Sequence, residues 1–94
     1  MFVILLKYLK PIEVIDQHLA AHREHLKRHY ESGDLVCSGP QNPRTGGVIV
    51  SNHPTKEAVI QMMQSDPFTL EGVASYDVIE FNQTRFQVPK NISL

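Results

Sequence analysis

The feature that most constrains the fold is the change of apolar pattern at Pro11. Before it, "FVILLKYL" (residues 2–9) is short, β-branched and aromatic, which is typical of a buried strand. After it, residues 12–32 place apolar side chains three and four positions apart, which predicts an amphipathic helix. Pro11 suits the start of this helix, and Gly33 suits its C-terminal stop. The chain therefore begins with a strand followed directly by a long helix.

Two strands, a second helix and a last strand are predicted in the remainder of the chain. Residues 34–40 and 46–51 are predicted as strands joined by a Pro-containing turn. The segment "KEAVIQMMQS" (56–65) has apolar residues in a four-residue rhythm, which predicts a helix. The final strand is predicted over residues 74–81, where apolar side chains lie mainly on one face.

This order of elements, β-α-β-β-α-β, is typical of a ferredoxin-like α+β fold. Both helices would cover one face of a four-stranded antiparallel sheet, and the other face would remain open. An exposed apolar sheet face in so small a domain needs a cover, and a second copy of the same sheet is the simplest one. We therefore expect a homodimer or a higher homo-oligomer.

Length and composition limit the class of protein. The 94 residues suit a single domain over 1–94, with a core of about 2–82 and a C-terminal arm of 83–94. A net charge of −1 without a basic run disfavours a nucleic-acid partner, because phosphate contacts need clustered Lys and Arg. No stretch approaches the roughly 20 apolar residues of a membrane span. The single cysteine, Cys37, fits a cytoplasmic location, and we expect its thiol to be buried and unreactive.

Four of the five histidines fall in "HLAAHREHLKRHY", residues 18–30, at spacings of four, three and four. At about 100° per residue they form a stripe along one edge of the apolar face of the first helix. His22 lies nearest the core, which makes it the candidate for proton transfer near neutral pH. The alternative is a half-buried histidine that only bonds a backbone carbonyl. We expect His18, His25 and His29 to form a solvated or cleft-lining rim.

Metal binding by this stripe is a weaker interpretation. The spacing offers two pairs of histidines at i and i+4, as in helical metal sites. The stripe has no HExxH motif and no evident third ligand, whereas catalytic zinc normally has three protein ligands. We therefore expect neither a metal nor a cofactor.

The "DPF" segment, residues 66–68, supplies the carboxylate that we pair with His22. Pro67 fixes the backbone after Asp66, so the Asp66 side chain would be presented from a rigid turn. The alternative is that Asp66 only caps its own turn, which is a common use of Asp before Pro.

A cleft near this pair could be lined by residues of the two central predicted turns. Ser38, Gly39 and Pro40 end a strand, and such a sequence lets a ligand approach the backbone closely. Arg44 could stand at the cleft mouth and favour a substrate that carries a carboxylate. The alternatives are an ordinary strand end and an exposed Arg at a hairpin tip.

The chain resembles the YCII (YciI-like) family of small proteins over about residues 2–82. The resemblance lies in "HREHL", "GDLVCSGP", "PRTGGVIV" and "DPFTLEGVASYDVIEF", in this order and at these separations. It implies a ferredoxin-like fold, a dimeric α+β barrel formed by two sheets packed face to face, and a His-Asp active site. By motif match the site residues are His22 and Asp66, with Phe68 as the aromatic residue of the substrate pocket. Many relatives carry an Arg where this chain has Leu19, which leaves Arg44 as the expected cation for an anionic substrate.

Two functions are compatible with these residues. The first is a cofactor-independent lyase or isomerase that uses the His-Asp pair on a small metabolite, because some family members resemble dehydrochlorinases and lactone isomerases of aromatic degradation. In it, His22 would be the general acid or base and Asp66 would orient it. The second is a non-catalytic protein that binds a small ligand in the same cleft or serves as an accessory protein.

Overall fold

Seven regular elements make up the fold within residues 1–91. The computed structural model describes residues 1–91. The elements, in chain order, are β1 (Phe2–Tyr8), α1 (Ile12–Glu31), β2 (Leu35–Pro40), β3 (Gly46–Ser51), α2 (Lys56–Ser65), α3 (Pro67–Leu70) and β4 (Ala74–Glu80). The four strands form one sheet in the order β2-β3-β1-β4, and every neighbouring pair is antiparallel. The predicted ferredoxin-like α+β fold is confirmed.

The ends of the helices follow from local sequence. Pro11 precedes α1 with a φ of −59°, which is already close to the helical value. Gly33 follows α1 with a φ of 83°, a left-handed conformation that glycine adopts without steric cost. The Thr55 side chain caps α2 by accepting a hydrogen bond from the Ala58 N–H. These three signals set both ends of α1 and the start of α2.

The core lies between the helices and one face of the sheet. Alternate residues of β1 point into it, as the two-residue period of a strand requires. The two longer helices contribute one apolar side each, and α3 contributes a single ring. The buried hydrophobic residues are Phe2, Ile4, Leu6, Ile15, Leu26, Leu35, Ile49, Val59, Met62, Met63, Phe68, Val73 and Ala74.

The opposite face of the sheet carries exposed apolar side chains and none of the helices in residues 1–91. Leu5 on β1 is 38% exposed, whereas its neighbours Ile4 and Leu6 on the helix side are buried, and Ile79 on β4 is 49% exposed. Residues 81–90 contain neither helix nor strand and are exposed. The predicted arm, 83–94, extends beyond the described residues at positions 92–94. None of the described helices combines the length and the apolar character that crossing a membrane requires.

Two local expectations were wrong. No regular element was predicted between the second helix and the last strand, but residues Pro67–Leu70 form the short helix α3. Cys37 was predicted to be buried, but it is exposed. Strand β2 lies at the edge of the sheet, and its register shifts between Leu35 and Cys37, so only Leu35 of this strand reaches the core.

Candidate active site

His22 and Asp66 are in direct contact. The His22 Nδ1 atom lies 2.9 Å from Asp66 Oδ1 and 2.8 Å from Oδ2. The Asp66 side chain is fully buried, and the His22 side chain is 12% exposed. A buried carboxylate needs partners for its oxygens, and the imidazole N–H supplies one of them. The contact therefore joins the middle of α1 to the junction between α2 and α3.

The junction itself holds Asp66 in place. Asp66 follows the last residue of α2 and is the N-cap of α3. Its Oδ1 accepts a hydrogen bond of 2.9 Å from the Phe68 N–H, as an N-cap side chain does. The two interpretations of "DPF" are therefore not exclusive, because the same carboxylate caps the turn and contacts His22.

The imidazole ring of His22 is held on its face as well as at its edge. It stacks on the Phe68 ring with centroids 4.0 Å apart and planes 5° from parallel. Phe68 is buried, and the Tyr8 ring meets it edge-on at 6.2 Å. Stacking and the Asp66 contact together fix both the position and the orientation of the ring, which is what a proton-transfer group requires.

A cavity of about 430 Å³ lies beside this pair, between α1 and the sheet. This volume falls within the usual range of small-molecule sites. Its walls are mainly apolar, and its polar groups are few. The lining residues are Leu6, Tyr8, Leu19, His22, Arg23, Leu26, Ser38, Gly39, Pro40, Arg44, Gly47, Val48, Ile49 and Phe68.

The cavity brings the predicted substrate-binding residues to one place. Ser38, Gly39 and Pro40 line it from the end of β2, Arg44 lines it from the loop before β3, and Phe68 lines it beside His22. The structure places these residues at the cavity, and their roles in binding stay predictions.

Two of these side chains have partners of their own. The Ser38 Oγ lies 2.6 Å from the Tyr30 hydroxyl. Arg44 donates a hydrogen bond of 2.7 Å to Asp16, and its guanidinium carbon is 5.9 Å from the centre of the Tyr8 ring. The bond to Asp16 raises the pKa of Arg44, which therefore stays charged. A ligand anion would have to share this guanidinium with Asp16.

Two polar lining residues were not singled out from the sequence. Arg23 adjoins His22 in the chain and lines the cavity, so it adds a second cation to Arg44. Tyr8 lines the wall at the end of β1. The sequence signal for Arg23 was its adjacency to His22 in the chain.

The other histidines of the stripe do not form a uniform rim. His25 Nε2 donates to the Met62 carbonyl at 2.8 Å, which ties α1 to α2. His29 Nδ1 lies 3.3 Å from Nε2 of His53, which follows β3. The expectation of a solvated or cleft-lining rim was therefore wrong for these two residues, since a backbone carbonyl and a fifth histidine contact them.

The pKa values of His29 and His53 are both lowered. Burial lowers the pKa of His53, and the nearby Asp34 carboxylate opposes this effect. Burial also lowers the pKa of His29, and the neighbouring His25 and His53 rings lower it further. Both rings therefore favour their neutral forms, in which a nitrogen lone pair is free to accept a proton or a cation.

Comparison with known proteins agrees with this fold. Curated proteins gave no match, whereas eight chains of solved structures did. One is 5-chloro-2-hydroxyhydroquinone dehydrochlorinase (TftG) from Burkholderia phenoliruptrix, in complex with 2,5-dihydroxybenzoquinone. Its TM-score is 0.72 at 19% sequence identity, and the alignment covers 87% of this chain and 94% of that one. The family model of the YCII-related domain matches residues 1–82 of this chain. The chain therefore belongs to the YCII-related family.

Proposed function

We propose that this protein is a small-molecule enzyme of the lyase or isomerase type, in which His22 transfers a proton and Asp66 positions it. The observation that carries the proposal is the contact of the buried Asp66 carboxylate with His22 Nδ1 at the wall of a cavity. An ionised carboxylate only accepts hydrogen bonds, so Nδ1 carries the proton and Nε2 keeps its lone pair. The Asp66 charge also stabilises the imidazolium that forms when Nε2 takes up a proton.

The substrate that fits this cavity best is a small oxygenated ring or a ring-derived metabolite. The walls are apolar and include the Phe68 and Tyr8 rings, which suits a flat ligand. Arg23 and Arg44 supply positive charge for a phenolate or carboxylate group. A structural neighbour that is named for its action on a chlorinated hydroxyhydroquinone supports this substrate class.

Two reactions follow from a single proton-transfer group. In an isomerisation, Nε2 takes a proton from one atom of the substrate and returns it to another. In an elimination, the electron pair left behind by the proton forms a double bond, and a leaving group such as chloride departs with its own bonding pair. Both routes need only proton transfer, so the proposal involves no cofactor. Such a step contributes about 10²–10⁴-fold to the rate.

We also propose that two copies associate through the open faces of their sheets and that the protein works in the cytoplasm. The exposed apolar side chains on that face, including Leu5 and Ile79, support the dimer. Light scattering should report a dimer for the wild type and a monomer for Leu5→Glu, because a buried charge would oppose the contact. A wild-type monomer would contradict this arrangement.

The central test is conversion of a bound ligand. Chlorinated and hydroxylated hydroquinones and quinones are screened by thermal shift, and each compound that raises the Tm is incubated with protein and analysed by mass spectrometry. We expect wild-type protein to convert at least one of them. His22→Gln should bind it but lose turnover by about 10²–10⁴-fold, because Gln cannot shuttle the proton.

His18→Gln is the matched control, because His18 lies one turn away on α1 and does not line the cavity. It should retain full turnover. A ligand that binds the wild type saturably and is recovered unchanged would favour the non-catalytic binding protein. A folded His22→Gln variant with wild-type turnover would rule out the role of His22.

A further inference from the structure

A second cluster of ligand-type side chains lies outside the cavity, where the end of α1 meets the sheet. It consists of His29 near the end of α1, Asp34 just before β2, and His53 just after β3. One ligand atom from each of the three residues lies within 4.8 Å of the other two. The His53 side chain is buried, whereas those of His29 and Asp34 are half-buried. A cation could therefore reach the cluster from solvent.

The distances fit a tetrahedral ion. Zn²⁺ bonds to imidazole nitrogen at about 2.0–2.1 Å, which places two tetrahedral ligand atoms about 3.3 Å apart. The His29 Nδ1 to His53 Nε2 distance is 3.3 Å. The Asp34 Oδ2 atom lies 3.9 Å from His53 Nε2, so it needs to come about half an ångström closer to this nitrogen. A small rotation of one half-exposed carboxylate provides it.

The three segments are already joined by backbone hydrogen bonds. The Asp34 N–H donates to the His29 carbonyl at 2.9 Å, and the Asn52 N–H donates to the Asp34 carbonyl at 2.8 Å. These bonds hold the α1 terminus, the start of β2 and the end of β3 in register whether or not an ion is present. Little ordering is therefore left for a cation to impose.

Hydrogen bonds behind the ligands also resemble those of metal sites. The Ser51 hydroxyl contacts His53 Nδ1, which leaves Nε2 facing the cluster. Ser32 donates a hydrogen bond of 2.7 Å to Asp34 Oδ2. Such outer contacts orient metal ligands and select the imidazole tautomer.

We propose that His29, Asp34 and His53 bind a Zn²⁺ ion and leave one coordination position to water. Two imidazoles and a carboxylate form a donor set that zinc accepts, and Mg²⁺ prefers oxygen ligands alone. The bound ion would replace the proton that now lies between the two imidazoles. It would clamp the C-terminal end of α1 to β2 and β3.

This site differs from the helical stripe, which uses only residues of α1. In the stripe, His29 would pair with His25, whose ring centre is 5.1 Å away. The His25 Nε2 atom is already bonded to the Met62 carbonyl, which keeps that nitrogen from a metal. His29 belongs to both arrangements, so variants of Asp34 and His53 distinguish them.

The test measures zinc binding by untagged, chelator-washed protein with isothermal titration calorimetry. Wild type should bind one Zn²⁺ per chain, and Mg²⁺ should give no heat. Asp34→Asn and His53→Gln should each weaken zinc at least tenfold, because each removes a ligand. His18→Gln and His25→Gln are the matched controls and should stay within about twofold of wild type.

Thermal unfolding provides a second readout in case His53→Gln fails to fold. At a tenfold excess over Kd, zinc should raise the wild-type Tm by roughly 5 °C or more, and Asp34→Asn should lose most of this rise. Wild-type protein without stoichiometric binding would overturn the proposal. So would zinc binding that survives Asp34→Asn and disappears in His25→Gln, since the stripe would then be the site.

Discussion

His22 and His29 lie two turns apart on α1, yet their partners differ in kind. His22 faces a buried carboxylate that both accepts its N–H and caps α3. His29 faces another imidazole, His53, at 3.3 Å, and neither ring offers the other a fixed negative charge. A carboxylate holds a proton on the ring, whereas a second imidazole competes for it. The comparison teaches that the partner, and not the helix position, decides what a histidine can do.

The largest effect is expected for Asp66→Asn, which removes the negative charge beside His22. It should leave the cluster of His29, Asp34 and His53 intact. An amide can still accept from the Phe68 N–H, but it cannot stabilise an imidazolium, so turnover of an identified substrate should fall by about 10²–10⁴-fold. The variant should also lose about 1–3 kcal/mol in free energy of unfolding, because buried hydrogen bonds to a charged group are weakened.

The matched substitution is Asp34→Asn, the same chemical change at the other site. It should spare turnover and impair zinc binding, while Asp66→Asn should do the reverse. Kinetic and calorimetric measurements on both variants check this reciprocity. If either substitution damaged both properties, the two sites would not be independent.

The next largest effect is expected from acidification, which should destabilise the folded chain at the cluster of His29, Asp34 and His53. The folded-state pKa values of His29 and His53 lie below the ordinary histidine value of 6.5, which applies to the unfolded chain. Below about pH 6.5 the unfolded chain therefore takes up protons that the folded chain does not. The contribution of these two histidines to the free energy of unfolding is present above this pH. It should be lost as the pH falls through their folded-state pKa values.

The measurement is the Tm of chelator-treated protein between about pH 8 and pH 5. The double variant His29→Gln/His53→Gln should show a flatter profile. A wild-type Tm that rises on acidification would show that these rings do not lose protons on folding.

The smallest expected effect concerns Arg44, which lines the cavity. Its ion pair with Asp16 is partly exposed on both sides, so Arg44→Gln should leave the free energy of unfolding nearly unchanged. The affinity for a hydroxybenzoate probe should fall about fivefold, and Asp16→Asn should raise it, because Arg44 is then free for the ligand. Unchanged affinity in both variants would remove Arg44 from ligand binding and leave Arg23 as the cation. Zinc binding should not respond to either change.

Much of the fold could be predicted because apolar periodicity is local. The predicted strand and helix limits differ from the observed ones by at most a residue or so at each end of the six elements. The short helix α3 escaped prediction because four residues are too few to show a helical period. The exposure of Cys37 depends on a register shift in an edge strand, which no local pattern reveals.

The sequence predicts the pairing of His22 with Asp66 but not the second site. His22 and Asp66 were paired from a helix-edge position, a rigid turn and a family resemblance. His53 was missed, because it stands alone in the sequence and lies 24 positions from His29. Their proximity arises from how β3 returns beside the end of α1, and only the tertiary structure shows that.

The position of Asp66 between two helices has a consequence for comparing relatives. One side chain serves both the architecture of the α2–α3 corner and the proposed chemistry. A relative without catalytic activity would still gain stability from an N-cap side chain there, so finding an Asp says little about activity. His22, which contacts Asp66, does not cap a helix. Its replacement in a relative would therefore indicate that the relative had lost the proposed activity.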